Sequence, residues 1–214
     1  MQKIKTLVIT GCSTGGYATF TYSNFINDFF RKINKTIQVL AIPEAGFFPD
    51  YYNFKTNDRR YYLTNKIFYE VTIENEEPKV LTPECYNEFP AEEDKCVLTE
   101  NYFKHIRVPL LLLQSSYDSS NISEDLGISC VDNGSLNQCN EEEKLNSQVY
   151  KVYQNELIHR AIGTNPNVSA WLISRVTHCL DNKDSLDWAI PGGSENIINR
   201  VVQKFIKNPF QKHI

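Results

Sequence analysis

"IKTLVITGCSTGGYATF", residues 4–20, changes character twice within a short span. Residues 5–10, "KTLVIT", form an apolar, β-branched run that stops abruptly at glycine, which predicts a buried strand. From residue 16 onward Phe20, Phe25, Ile26, Phe29, Phe30 and Ile33 fall at helical spacing, which predicts a helix over 16–33. Between them lies Gly11-Cys12-Ser13-Thr14-Gly15, a G-x-S-x-G pentapeptide after a strand and before a helix. That is the context of a nucleophile elbow, a strained turn that stands the serine hydroxyl at a helix N-terminus. Gly11 and Gly15 are expected to let the strand and helix backbones approach closely. The Thr14 N–H is the expected oxyanion donor, because the residue after the nucleophile supplies it in this architecture. A plain strand-to-helix turn would carry the same glycines. What decides between the two is what else reaches the same end of the sheet.

Working outward, "IQVLAI" (37–42), "VPLLLLQ" (108–114) and "VSAWLIS" (168–174) read as further buried strands. Helices are predicted over 58–71, over a short segment closing at "FKHI", over 141–162 and over 194–207. The third opens with a run of Glu that suits the positive end of a helix dipole. Residues 72–97 read as acidic and irregular, and 119–140 as a loop rich in Ser, Asn, Gly and Cys. Apolar strands alternating with amphipathic helices predict a mostly parallel sheet covered on both faces: a three-layer α/β/α fold in a single domain over 1–214. Ligands of such sheets bind beyond the carboxyl ends of the strands.

Composition narrows the function classes. The 214 residues are 41% hydrophobic and 22% charged, ordinary for a globular chain. A net charge of -4 with scattered Lys and Arg leaves no footprint for nucleic acid. No apolar run reaches the length of a membrane span. The start, "MQKIKTLVIT", lacks the cleavage site of a secretory signal. The six cysteines, Cys12, Cys85, Cys96, Cys130, Cys139 and Cys179, show no CxxC spacing, so no metal is implied. Cys85–Cys96 and Cys130–Cys139 each enclose a short polar, turn-rich segment and are the expected disulfides. Cys12 and Cys179 stay open between a bridge and two buried thiols. Glycosylation patterns at Asn34, Asn121, Asn133 and Asn167, with the cysteines, favour an oxidising compartment, so the full-length protein is expected to be secreted.

A serine nucleophile needs a histidine base and an orienting carboxylate. His213 lies at the C-terminus, and His105 and His159 read as helix residues. His178 follows the fourth strand in "SRVTHCLDN", and Asp118 follows the third in "LLQSSYDSS". Ser13, Asp118, His178 is the chain order of an α/β-hydrolase triad. In the aromatic stretch with Tyr51, Tyr52, Tyr61, Tyr62, Phe68 and Tyr69, the residues Tyr62, Phe68 and Tyr69 read chiefly as helix core, with sugar stacking or an acyl pocket as the functional alternative for the stretch. Asp181, Asp184 and Asp187 read as a solvated loop.

These motifs resemble the pectin acetylesterase/Notum family. "GCSTGG" (11–16) is similar to its nucleophile motif, and "PEAGFFPD" (43–50) to a segment in which Glu44 stands where an acid is usual. The run from Cys96 to Ser120 is similar to the family's cysteine, helix, strand and "YDS" stretch, and "SRVTHC" (174–179) to its "THC" segment. The resemblance implies the same three residues, Ser13, Asp118 and His178, as the triad. It implies an esterase that needs no cofactor and acts on an O-acylated polysaccharide, with a lipid or protein deacylase, or an inactive binding module, as the alternatives. The complete protein is expected to be a monomer. Cys12 and Cys179 both resemble the acetylesterase pattern. Family members carry a segment before the nucleophile strand, with further strands and a glycine-rich, Trp-containing loop that completes the oxyanion hole. Residues 1–12 hold no counterpart, so the chain is expected to match the C-terminal part of a member and to leave one side of its first strand either an exposed edge or closed by strands of this same chain.

Overall fold

The computed structural model describes residues 4–59, 83–131, 134–179 and 197–210. Four strands, β1 (Thr6–Cys12), β2 (Gln38–Glu44), β3 (Leu110–Asp118) and β4 (Val168–Thr177), form one parallel sheet in the order β1-β2-β3-β4. Chain order and sheet order coincide, so each strand lies beside its predecessor. Among the described residues these α-helices accompany them: α1 (Thr14–Ile33), α2 (Pro83–Glu88), α3 (Thr99–Tyr102), α4 (Glu141–Thr164) and α5 (Ile197–Lys207).

The central strands are apolar on both sides because both sides are covered. Val39, Ala41, Leu110 and Leu112 face one way, with Phe20 of α1, Phe103 and Ile158 of α4. Their alternates Leu40, Ile42, Leu111 and Leu113 face the other way, with Phe205 of α5. Successive strand side chains point to opposite faces, so one unbroken apolar run serves two helical layers. The fold is a three-layer α/β/α sandwich.

Several details depart from the sequence reading. Residues 72–97 are not all irregular: 83–88 are α-helical and Glu93–Val97 forms a 3-10 turn, stapled by Cys85–Cys96. The 119–140 loop holds a π-helical turn at Asn121–Asp125 and the Cys130–Cys139 bridge. The start of α4 carries a capping box in addition to its acidic first turn. Asn140 accepts the Glu143 N–H, and the Glu143 carboxylate accepts the Asn140 N–H. Residues 58 and 59 are not helical. The remainder of the 58–71 helix, Asn133, Asp181, Asp184, Asp187 and His213 lie outside the described residues.

β1 differs from its neighbours. It pairs with β2 alone among the described residues, and its side chains alternate between exposed and half-buried. Beside it, α1 leaves Tyr22, Phe25, Phe29 and Ile33 exposed. Among the described residues the strand that leads into Ser13 is therefore one of the two edges of the sheet, β4 being the other.

Candidate active site

The elbow begins with the backbone of Ser13, at φ 59 and ψ -124. Positive φ is uncommon outside glycine and costs about 1–3 kcal/mol where the surroundings enforce it. Here they do. The Ser13 N–H donates to Glu44 O at the end of β2, 3.0 Å away. Ser13 occupies the N-cap position of α1, where a serine side chain ordinarily accepts from the helix N–H groups. It makes no such bond here, so the hydroxyl is free of that duty. Thr14 is exposed and is the first residue of α1, where N–H groups have no partner within the helix.

The glycines divide this work differently from the expectation. A Cβ on Gly11 would lie 2.6 Å from the Gly15 backbone, so Gly11 is required. Gly15 itself has nothing within 4 Å of such an atom, and its role as a close-approach residue is corrected. Gly16 takes that role: its Cβ would sit 2.3 Å from Glu44 O.

Asp118 is the last residue of β3 rather than a residue beyond it, and it is fully buried. A buried carboxylate needs partners, and it has them. Its Oδ1 accepts the N–H groups of Ser120 (3.0 Å) and Asn121 (3.2 Å), and its Oδ2 accepts Gln114 Nε2 at 3.0 Å. Both oxygens face His178 Nδ1, at 2.8 and 3.0 Å. Burial of the ring opposes its charge. The hydrogen bond and charge of Asp118 outweigh that, with Glu124 and Glu44 adding to it, and hold the imidazole pKa above its ordinary 6.5.

Gln114 and Asn121 are supports that the sequence reading missed. Gln114 Oε1 accepts the Phe47 N–H while its amide nitrogen holds Asp118. Asn121, 1% exposed, donates to Phe47 O and Tyr150 Oη, which removes it as a glycan acceptor. The only signal for either was its place in "LLQSSYDSSN", next to the acid.

β1 and β4 are three strand spacings apart, about 14 Å, yet the sulfurs of Cys12 and Cys179 are bonded, with 5.9 Å between the Cα atoms. β3 supplies the path. It runs past Leu113, the partner of Glu44, and continues with β4 as far as the Asp118–Thr177 pair. The register slips between Ser115 and Tyr117, and such a bulge bends the strand that carries it. The open question over Cys12 and Cys179 is thus answered by a bridge. It joins the residue before Ser13 to the residue after His178. Among the described residues no hydrogen bond joins Ser13 Oγ to His178. The structure brings Asp118 onto His178, and the bridge ties the loop carrying His178 to the elbow.

Two clusters bring cysteine together with other metal-binding side chains: Cys12, Cys179 and His178, and Cys130, Cys139 and Glu143. In both, the sulfurs are committed to disulfides. Beyond Asp118, Ser119, Ser120, Ser123, Glu124, Val131 and Gly134 line an open polar cavity of about 320 Å³.

The pectinacetylesterase family model matches residues 1–213. Pectin acetylesterase 5 of Arabidopsis thaliana is 28% identical over 120 residues, which are 55% of this chain and 26% of that protein. Pectin acetylesterase 4 of the same plant is 25% identical over 126 residues, 59% of this chain and 29% of its own length. The Wnt deacylase Notum from Drosophila superposes with a TM-score of 0.73 at 16% identity, over 94% of this chain and 54% of the Notum chain. The chain thus spans about half the length of Notum, and its matches cover under a third of each plant protein. By a match that takes in all but its last residue, this chain belongs to the pectinacetylesterase family.

Proposed function

We propose that this chain carries the catalytic residues of a carboxylic ester hydrolase that removes acetyl groups from an O-acetylated polysaccharide. The observation that carries the reading is the Asp118–His178 pair, tied by Cys12–Cys179 to a serine in a strained turn. Asp118 fixes the ring so that Nδ1 carries the proton and Nε2 is the free base. Ser13 Oγ attacks the acyl carbonyl and gives its proton to Nε2. The Thr14 N–H and the α1 dipole stabilise the oxyanion. The imidazolium then protonates the leaving alkoxide, and water hydrolyses the acyl-serine by the same path in reverse. The Ser13–His178 contact is one that tightens as substrate binds.

The polar cavity beside Asp118, with three serine hydroxyls and one carboxylate, favours a carbohydrate carrier. The similarity to Notum supports a second reading, a lipid or protein deacylase. Three disulfides among the described residues suit secretion into an oxidising compartment. A panel of 4-nitrophenyl esters from acetyl to long-chain acyl, with an acetylated polysaccharide, tests the choice. The acetylesterase reading expects preference for acetyl, and a strong preference for long chains overturns it. Ser13→Ala should abolish labelling by a phosphonate probe, and Asp118→Asn should cost about 10⁴-fold in kcat.

A further inference from the structure

We infer that the Cys12–Cys179 bridge is a positioning device for catalysis, and that opening it disables the site while the fold remains. The inference rests on Ser13 and His178 as nucleophile and base. Asp118 holds Nδ1 of the ring, but Asp118 and His178 both belong to the β3–β4 ribbon, while Ser13 belongs to β1. Among the described residues the two sides communicate through the sheet by way of β2. Cys12–Cys179 is the direct link between them, spanning 167 residues of sequence to join the immediate chain neighbours of the two reacting groups. Both sulfurs also lie within 4.8 Å of an imidazole nitrogen, so the bridge packs against the base it positions.

The other two bridges do different work. They join cysteines only 11 and 9 positions apart and tie loops to themselves. Cys85 and Cys96 are fully buried, whereas Cys12 and Cys179 are both partly exposed and within reach of a thiol. A small dithiol attacks one sulfur and breaks the S–S bond. It supplies two electrons and two protons, leaves as its cyclic disulfide, and converts Cys12 and Cys179 to thiols. The ribbon and the edge strand then separate by whatever the sheet allows, and a misplacement of about 1 Å in such a contact costs about 100-fold in rate.

The test uses the full-length protein and a short-chain aryl ester. Cys12→Ala/Cys179→Ala should lower kcat about 100-fold while KM holds, because positioning of the base is felt in the transition state. Cys85→Ala/Cys96→Ala should lower the melting temperature and leave kcat intact below it. Where the first variant does not fold, graded reduction of the native protein replaces it. A chelator is included so that the freed thiols and His178 capture no metal. Turnover should fall in step with alkylation of Cys12 and Cys179, with the circular dichroism spectrum unchanged, and return on reoxidation. Full turnover in protein alkylated at both cysteines overturns the inference, as does equal loss of kcat in the two double variants. Ser13→Ala in the oxidised protein separates the failures. If it retains turnover, the nucleophile assignment falls; if it is inactive while the opened bridge is not, only the positioning role falls.

Discussion

Two adjacent glycines should respond in opposite directions to the same added methyl group. At Gly16 a Cβ would lie 2.3 Å from Glu44 O, 3.0 Å from Gly46 Cα and 3.1 Å from Glu44 C. Ordinary carbon–oxygen contacts begin near about 3.3 Å, so the oxygen must retreat by roughly 1 Å. The obstructing atoms are all backbone at the end of β2, and no rotamer change relieves them. Overpacking costs about 1–3 kcal/mol, and a site with no flexible neighbour belongs at the upper end. About 3 kcal/mol lowers the melting temperature of a domain this size by about 6–12 °C. The displaced oxygen is also the acceptor for the Ser13 N–H, so esterase activity should fall below the melting range as well. At Gly15 nothing lies within 4 Å, and alanine is the better helix former by about 0.5 kcal/mol. Thermal melts of Gly16→Ala and Gly15→Ala, read beside the parent, decide the matter. If Gly16→Ala melts with the parent, or Gly15→Ala falls as far as Gly16→Ala, the packing account of the elbow is wrong.

Burial, reinforced by the charge of Asp50, raises Glu100 to about 7, against bonds and charges from the Asp50 N–H, Arg59 and Arg160. A carboxyl with a raised folded pKa contributes stability that is full below 4.5 and lost as pH rises through about 7. Melting temperature should therefore drop across that window in the parent relative to Glu100→Gln. The variant should gain about 2 kcal/mol at pH 8 once partial exposure is allowed for. As the proposed base, His178 must be neutral to act, so kcat/KM should be lost as pH falls through a value above 6.5. Asp118→Asn should move that value down, and an unmoved profile would remove His178 as the titrating group. Val8 and Phe29, 36% and 51% exposed, belong to the β1 edge and the adjoining face of α1. Val8→Lys with Phe29→Glu should suppress concentration-dependent association, measured by light scattering, because an apolar strand edge is a template for pairing.

The layers of the fold were legible because they depend on periodicity that is local in sequence. "VLAI" and "LLLL" each bury two faces, as strands of a parallel sheet covered on both sides do. The two local disulfides were legible for a similar reason, since turn-forming sequence between cysteines only 11 and 9 positions apart constrains where its ends can go. Cys12 and Cys179 offered no such constraint at a separation of 167. Gln114 reads as the end of a strand and Asn121 as part of a loop, and both bond the backbone of Phe47, 67 and 74 residues away. Gly15 and Gly16 are indistinguishable in the motif. Which of them meets Glu44 is set by the pairing of β1 with β2.

The distribution of support across the site follows from the strand order. Asp118 ends a central strand with several donors on its carboxylate, so its position is fixed by the most buried part of the sheet. Ser13 follows an edge strand, and its strained turn is held by one backbone bond to Glu44 and by the contact of Gly16 with the β2 end. Local opening is least costly where pairing is one-sided. β1 is such a strand, and fraying there would release the strain at Ser13 rather than oppose it. The site therefore spans a junction: the proposed base is bonded to the buried Asp118 of a central strand, whereas the proposed nucleophile follows β1, and β1 and β4 each pair on one side alone among the described residues. A covalent tie is most useful at such a junction, and the long-range disulfide among the described residues crosses it.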